Sequence, residues 1–150
     1  MTSAGHSGVS STTIEKKVRM DRESVDRWAD SYRVAWETAD SAAAAALFAE
    51  DGTYRNDIYQ EPNQGRSGIV EYWTGVTSVQ SDVTVRMGAP FVDGDRAVVE
   101  FWTTMKVNED PVTIGGALLL VFEPDGLCRS LREYFTFSEG YQQPPEGWGT

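Results

Sequence analysis

Residues 96–137 read RAVVEFWTTMKVNEDPVTIGGALLLVFEPDGLCRSLREYFTF, and this stretch decides the fold. Apolar residues alternate with polar ones over 96–107, 112–123 and 127–137, and each run is long enough to form a strand. Turn-forming residues separate the runs, at 108–111 (NEDP) and at 124–126 (PDG). A similar run at 81–92, followed by the turn DGD at 93–95, completes a predicted four-stranded antiparallel meander.

Upstream of residue 80 the apolar residues recur at helical spacing. Asp21 is the predicted N-cap of a first helix that ends near residue 38. The apolar face of this helix consists of Val25, Trp28, Ala29, Tyr32, Ala35 and Trp36.

Three more elements are predicted between this helix and the meander. The run SAAAAALFAE at 41–50 predicts a short second helix, capped by Asp40 or Ser41. Residues 53–56 (TYRN) predict a strand at the edge of the sheet, and GIVEYWTGV at 68–76 predicts a third helix capped by Ser67. We therefore predict an α+β fold, in which three N-terminal helices pack against a curved antiparallel sheet. Such a cone has one closed end and one open mouth, and the mouth is a natural pocket.

Composition limits the partners that the chain can have. Its 150 residues carry a net charge of −10, and a protein this acidic repels phosphate backbones, so we expect no nucleic-acid partner. The single cysteine, Cys128, excludes an internal disulfide and fits a reducing compartment. No apolar run approaches the roughly 20 residues that span a bilayer. We predict a cytoplasmic protein without a membrane partner.

The histidine count narrows the chemistry further. The one histidine, His6, lies outside the predicted domain, so that domain has no Ser–His or Cys–His nucleophile pair and no histidine-rich zinc site. Acid–base chemistry must therefore come from Asp, Glu, Tyr, Lys or water, and we expect neither a metal nor a cofactor.

The chain divides into three regions. Residues 1–20 are rich in Ser, Thr and Gly and predict a disordered leader, which lacks the basic and apolar parts of a secretory signal. Residues 21–138 form the α+β domain, and the Pro- and Gly-rich tail at 139–150 is predicted to be irregular.

Several local strings resemble the SnoaL-like branch of the nuclear transport factor 2 superfamily, over about residues 21–138. The strings are Tyr32 with 35–37 (AWE) and Asp40, 47–54 (LFAEDGTY), 65–66 (GR), 68–69 (GI), 72–73 (YW), Phe122 with 125–126 (DG), and 131–135 (LREYF). The resemblance implies a cone-shaped α+β fold with a pocket for a small molecule. This superfamily contains isomerases, dehydratases, cyclases, epoxide hydrolases and plain binding proteins.

The ketosteroid isomerases of this superfamily resemble the chain from Tyr32 through Glu61. The resemblance implies that Tyr32 stands at their oxyanion-hole tyrosine. The position of their catalytic aspartate base is occupied by Asn56 here, and that of their neutral aspartic acid lies near Leu118. An amide cannot abstract a proton and a leucine cannot donate one, which argues against that reaction.

The limonene-epoxide-hydrolase type matches a different part of the site. Tyr54 and Asn56 stand where its water-holding pair lies, and Glu133 stands at its acidic residue on the last strand. The Arg and Asp that this hydrolase type has on its middle strand correspond to Phe101 and Thr103 in this chain. Dehydratases of the scytalone type and the SnoaL cyclases depend on histidines that the domain lacks.

Glu133 is the strongest acid–base candidate. Strand alternation places its carboxyl on one face with Leu131, Phe135 and Phe137, and this otherwise apolar face should be the concave one. Burial there should raise the pKa of Glu133, since desolvation penalises the charged form. The structural alternative is a hydrogen bond or ion pair to a backbone N–H or an arginine.

Tyr32, Tyr54 and Asn56 complete the candidate catalytic set. We expect the two tyrosines to be hydrogen-bond donors and Asn56 to hold a water or a carbonyl group. Alternatively, Tyr32 is a core aromatic and Asn56 binds a backbone group or a structural water. The predicted substrate-binding residues are Trp36, Trp73, Phe101, Thr103, Leu118 and Phe135.

Two hypotheses follow for the function. In one, the chain is a cofactor-free enzyme of the isomerase, cyclase or hydrolase type, with acid–base or water-addition chemistry on a small apolar molecule. In the other, it is a non-catalytic ligand-binding or accessory protein on the same fold. In both, Trp102 and Tyr134 project from the convex sheet face and predict a homodimer.

Overall fold

A computed structural model describes residues 20–150 of the protein. The predicted disordered leader, including His6, therefore lies almost wholly outside the described residues. Helix α1 (Arg22–Glu37) begins where the sequence predicts, because Asp21 caps it. The Asp21 carboxylate accepts a hydrogen bond of 2.8 Å from the Ser24 amide, and the Ser24 hydroxyl accepts one of 2.9 Å from the Asp21 amide. All six residues of its predicted apolar face are buried.

The next helix is shorter than predicted. Asp40 caps α2 (Ser41–Ala45), but the predicted extension to residue 50 is wrong, because strand β1 (Phe48–Arg55) begins there. The Cys128 amide donates 2.9 Å to the Leu47 carbonyl, and Phe48 pairs with Cys128 in the sheet. Sheet pairing thus overrides the helix propensity of this run.

Helix α3 (Gly65–Thr77) begins earlier than predicted. The two-residue strand β2 (Asn63–Gln64) pairs with β1 and leads directly into the helix, so Gln64, not Ser67, occupies the N-cap. Gln64 makes no side-chain cap bond. Gly65 has a φ of 70° at the first helical position, a conformation that glycine adopts without a steric penalty.

Five further strands complete the sheet. They are β3 (Gln80–Met87), β4 (Phe91–Asp93), β5 (Arg96–Val107), β6 (Asp110–Phe122) and β7 (Cys128–Glu139). The predicted run 81–92 is therefore two strands. Gly88, Ala89 and Pro90 separate them, and proline has no N–H to contribute to a sheet.

The strand order is β2-β1-β7-β6-β5-β3, and β4 pairs with the outer part of β5. The meander from β5 to β7 is antiparallel as predicted, but β1 pairs parallel with β7, so a purely antiparallel sheet is wrong. The fold is a mixed α+β arrangement with a curved, largely antiparallel sheet. Three helices are present among residues 20–150, and the third follows β1 and β2.

The core lies between the helices and the concave face of the sheet. Strand alternation buries Val99, Phe101 and Thr103 on β5, and Leu118 and Leu120 on β6. These side chains pack against the aromatic face of α1 and against Ile69 and Trp73 of α3.

The tail from Gly140 onward has no helix or strand, but it packs against the convex face. The Trp102 indole N–H donates 3.0 Å to the Gln142 carbonyl, and Trp148 meets Trp102 edge to face at 6.0 Å. The Ala89 amide donates 2.7 Å to the Gly149 carbonyl. Trp102 therefore points outward as predicted, but it is only partly exposed because the chain's own tail covers it.

None of the helices among residues 20–150 is long and apolar enough to cross a membrane.

Candidate active site

Glu133 projects from β7 onto the concave face of the sheet. It pairs in register with Leu118 of β6, which is fully buried, and follows the buried Leu131 by two positions. The carboxyl is itself partly buried in this apolar setting. Its Oε1 accepts a hydrogen bond of 2.5 Å from the Tyr54 hydroxyl, which is the length of a strong charge-assisted bond.

Tyr54 connects Glu133 to Tyr32. The hydroxyls of Tyr32, from α1, and Tyr54, from β1, lie 3.1 Å apart, and both side chains are only 1% exposed. The Tyr32 ring stacks on Trp28 with a centroid distance of 5.5 Å, and Trp73 meets it edge to face at 5.6 Å. The three polar groups thus form a continuous chain of hydrogen bonds inside an aromatic shell.

Burial sets the ionisation of this chain. Desolvation raises the pKa of Glu133 to about 7, in the direction that strand alternation predicts, and the hydrogen bond from Tyr54 opposes part of the rise. Burial, followed by the negative charge of Glu133, raises the pKa of both Tyr32 and Tyr54 well above the ordinary value. At neutral pH the phenols keep their protons, and the raised pKa of Glu133 lets this carboxyl both hold and release a proton.

The direction of the hydrogen bonds follows from the number of protons. Each phenol carries one proton, so when Tyr54 donates to ionised Glu133 its oxygen accepts from Tyr32. Both phenolic protons are then directed toward Glu133. In this state Tyr32 and Tyr54 orient the carboxylate, and the second carboxylate oxygen is the atom available to a water or a substrate.

Asn56 lies on the same strand but has a different partner. Its amide oxygen accepts 3.0 Å from Asn63 Nδ2, which also donates 3.1 Å to the Tyr54 carbonyl. No hydrogen bond joins Asn56 to Tyr32, Glu133 or the Tyr54 hydroxyl among the described residues. The structure therefore brings Tyr32, Tyr54 and Glu133 together, whereas Asn56 binds Asn63 of β2.

Most of the predicted substrate-binding residues line the concave face. Trp36, Trp73, Phe101, Thr103 and Leu118 are all buried, whereas Phe135 is 45% exposed beyond the cover of the helices. The Trp36 ring lies 5.5 Å from Trp73 and 5.9 Å from Phe101. That these side chains bind a substrate stays a prediction.

Two buried polar atoms have no hydrogen-bond partner within residues 20–150, namely Trp73 Nε1 and Thr103 Oγ1. A buried donor without a partner costs about 1–3 kcal/mol, so each is a position where a ligand group would be favourable. Trp73 lies 6.0 Å from Tyr54 and therefore borders the hydrogen-bond chain. Thr103 lies four residues along β5 from Val99, which pairs with Leu118 beside Glu133, and so belongs to the far end of the concave face.

Tyr72 also belongs to this site, although the sequence analysis assigns it no role. Its ring lies 5.0 Å from the Tyr54 ring, and burial together with the Glu133 charge raises its pKa. Tyr72 precedes Trp73 in the sequence, and it is the packing of α3 on β1 that brings its ring against Tyr54.

No group of three or more His, Cys, Asp and Glu side chains that could hold a metal ion occurs in the part of the chain that the structure describes. Cys128 is fully buried, and burial raises the pKa of its thiol to about 12. A thiol with such a pKa is a poor nucleophile at neutral pH.

The family model of the SnoaL-like domain matches residues 25–131. No protein of curated function matches the sequence.

Three similar solved structures share the fold. One is a protein with a ketosteroid isomerase-like fold from Catenulispora acidiphila, in complex with trimethylamine; it is 22% identical, covers 73% of this chain and 85% of its own, and has a TM-score of 0.66. Another is the epoxide hydrolase/cyclase-like enzyme SalBIII, which has a role in pyran ring formation in the polyether salinomycin (20% identity, 77% and 93% coverage, TM-score 0.68). The third is an LEH-like epoxide hydrolase of M. tuberculosis (16% identity, 77% and 84% coverage, TM-score 0.64). At these identities the similarity establishes the fold.

Proposed function

We propose that this chain, which belongs to the SnoaL-like domain family, is a cofactor-free enzyme that uses Glu133 to activate water or a hydroxyl group against a small apolar electrophile. The observation that carries the proposal is the hydrogen bond from Tyr54 to a partly buried Glu133 whose pKa is raised to about 7. A general acid–base works best when its pKa lies near the working pH.

An epoxide is the substrate class that fits this arrangement best. The free Glu133 oxygen accepts a proton from water as the water oxygen bonds to a ring carbon, and the carbon–oxygen bond of the ring breaks with its electron pair staying on oxygen. Protonated Glu133 then returns the proton to that oxygen, so one water is added and the carboxylate is restored. The related enzymes described as epoxide hydrolase or cyclase-like support this class.

Trp73 is the group we assign to the departing oxygen. Its N–H is buried and has no partner within residues 20–150, and its ring lies 6.0 Å from the Tyr54 ring. A donor in this position stabilises the negative charge that develops on the ring oxygen until the proton arrives. In the same proposal, Tyr32 and Tyr54 are positioning residues that hold the carboxylate.

Ring opening in water labelled with ¹⁸O tests the proposal. Purified protein is incubated with a panel of apolar epoxides, and diol formation is compared among the wild type, Glu133→Gln and Glu133→Asp. Glu71→Gln, which removes an exposed carboxylate on α3, is the matched control. We expect labelled diol from the wild type and the control, and loss of turnover in Glu133→Gln. Turnover that survives in Glu133→Gln would exclude Glu133 as the base.

A specific observation favours a second candidate, a non-catalytic ligand-binding protein. Leu118 stands beside Glu133 on the sheet, Phe101 is apolar, and the Asn56 amide oxygen is bound to Asn63. No second acid or base therefore contacts Glu133 among the described residues. This candidate predicts that epoxides quench the fluorescence of Trp36 and Trp73 saturably, with no diol formed and with only a modest change of affinity in Glu133→Gln.

We also propose that the protein is a cytoplasmic homodimer without a nucleic-acid partner. Tyr134 is 40% exposed on the convex face, next to the region that the tail covers, and it supports an interface centred on β6 and β7. The net charge of −10 supports the absence of a nucleic-acid partner, and the single cysteine supports a reducing compartment.

A further inference from the structure

The concave face of β7 continues beyond Glu133 as an apolar strip that is open to solvent. Phe135 and Phe137 follow Glu133 on this face at alternate positions, and their side chains are 45% and 58% exposed. The strip is open because β1 ends at Arg55, which pairs with Arg132, so that β6 is the only described strand beside the rest of β7. Exposed phenylalanine rings are unfavourable in water, and a ligand that covers them removes this cost.

The strip ends in a cavity of about 490 Å³ at the far end of the same face. Phe137 lines this cavity together with Val112 of β6, which is buried, and Val107 of β5. Phe137 lies four positions along β7 from Glu133, which is about 13 Å at the usual rise of a strand. An extended ligand of that length can therefore contact the Glu133 carboxyl and the cavity at the same time.

The rim of the cavity is acidic. Asp110 and Glu139 line it beside the apolar residues, and both side chains are exposed. Neither carboxylate makes an ion pair within residues 20–150. The chain carries a net charge of −10, so the rim repels an anionic group, and water screens its attraction for a cationic one. The rim therefore favours a ligand whose far end is uncharged.

We infer that the substrate is a long-chain terminal epoxide with an uncharged tail, an inference that rests on the proposed function. The epoxide lies at the free oxygen of Glu133, and its chain lies on Phe135 and Phe137 and ends beside Val112. The strip begins at the proposed acid–base and shares its face, and this continuity identifies the occupant as part of the substrate. The epoxide is terminal because the buried Leu131 closes the other side of Glu133. Phe137 is thus the residue that sets the preference for chain length.

A second copy of the chain is the competing occupant of the strip. The proposed homodimer uses Tyr134, which alternates with Phe135 and so projects from the opposite face of the sheet. A two-fold contact through Phe137 would bring Asp110 and Glu139 close to the same carboxylates of the second copy. This repulsion disfavours the second copy at the strip, whereas an uncharged chain is not repelled.

The test varies the length and the charge of the chain. Hydrolysis by the full-length protein is measured with 1,2-epoxyhexane, with 1,2-epoxydecane and with 9,10-epoxydecanoic acid, which has the longer chain and a terminal carboxylate. We expect kcat/KM to rise at least about tenfold from the hexane to the decane, because more methylene groups are buried. The terminal carboxylate should remove this gain.

Phe137→Ala should remove most of the gain with 1,2-epoxydecane and leave kcat/KM for 1,2-epoxyhexane within about twofold of the wild type. Phe91→Ala is the matched control, since it removes a phenylalanine of β4 that is 63% exposed and lies away from the strip, and it should keep the gain. A kcat/KM independent of chain length, or an unchanged gain in Phe137→Ala, would overturn the inference and leave the proposed reaction standing.

Binding of the diol products separates this inference from the proposed function. Decane-1,2-diol and hexane-1,2-diol are titrated into ¹⁵N-labelled Glu133→Gln, and we expect the longer diol to bind at least about tenfold more tightly, with amide shifts at Val112 and Phe137. That result without turnover of any epoxide by the wild type would overturn the reaction and leave the strip as the chain-binding site. Shifts at Val112 and Phe137 that depend on protein concentration without ligand would assign the strip to a second copy and overturn the inference.

Discussion

The Tyr54 hydroxyl lies 2.5 Å from Oε1 of Glu133, and these two residues are 79 positions apart in the sequence. The contact exists because β1 lies alongside β7 in parallel register, with Tyr54 directly beside Leu131. Glu133 is two positions further along the same face, and a tyrosine side chain spans that distance. The parallel pair therefore creates the site, because it brings a phenol from the first strand to a carboxyl on the last.

Tyr54→Phe should raise the pKa of Glu133 above its value of about 7. The Tyr54 hydrogen bond stabilises the charged carboxylate and opposes the effect of burial, so its removal leaves desolvation unbalanced. A ¹³C NMR titration of the carboxyl carbon measures the change. Tyr32→Phe is the matched control, since Tyr32 touches Tyr54 and not Glu133, and its effect should be smaller. A lower pKa in Tyr54→Phe would mean that water replaces the phenol and hydrates the carboxylate.

Glu133 should make the folded state less stable as the pH rises from about 4.5 to about 7. Its pKa is higher in the folded state, so the folded protein binds more protons than the unfolded one over this range, and the free energy of unfolding falls with pH. The total loss of unfolding free energy is below about 3 kcal/mol, because the carboxyl is only partly buried and solvent screens part of the effect. Glu133→Gln should lack this decrease.

Urea unfolding of the wild type and Glu133→Gln at pH 4.5, 6 and 7.5 measures the difference. The two curves of stability against pH should diverge in favour of Glu133→Gln toward pH 7.5. Parallel curves would show that the pKa of Glu133 is ordinary in the folded state.

On β5, strand alternation correctly separates the buried Phe101 and Thr103 from Trp102. On β7 the predicted apolar face is buried only at Leu131, since Phe135 is 45% and Phe137 58% exposed. The sequence also predicts the direction of the Glu133 pKa shift, which depends only on an apolar face. It misses the parallel pairing of β1 with β7, since strand periodicity is identical in both directions. The Asn56–Asn63 bond and the covering of Trp102 by the tail are contacts between distant segments, which no local pattern encodes.

Trp148→Ala should destabilise the protein by about 1–2 kcal/mol, because it removes contacts that hold the tail on the sheet. The Trp148 ring meets Trp102 at 6.0 Å and lies 5.2 Å beneath the Arg86 guanidinium. Tyr141→Ala, at a 53% exposed aromatic of the same tail, is the control and should change stability by less than about 0.5 kcal/mol. Equal effects of the two substitutions in thermal unfolding would show that the tail does not depend on Trp148.

Tyr134→Glu should convert the proposed homodimer to a monomer, as measured by light scattering coupled to size exclusion. Tyr134 is an exposed aromatic residue of the convex face beyond the part that the tail covers, and a carboxylate from each copy would meet at a two-fold axis there. Trp102→Glu is the less direct variant, because it also displaces Gln142 and Trp148 of the tail and so combines loss of an interface with loss of stability. The matched control is Tyr59→Glu, which changes an aromatic residue that is 91% exposed at a distance from the sheet face. A dimer that persists in Tyr134→Glu would place the interface on another surface, whereas a monomeric wild type would remove the proposal of a dimer altogether.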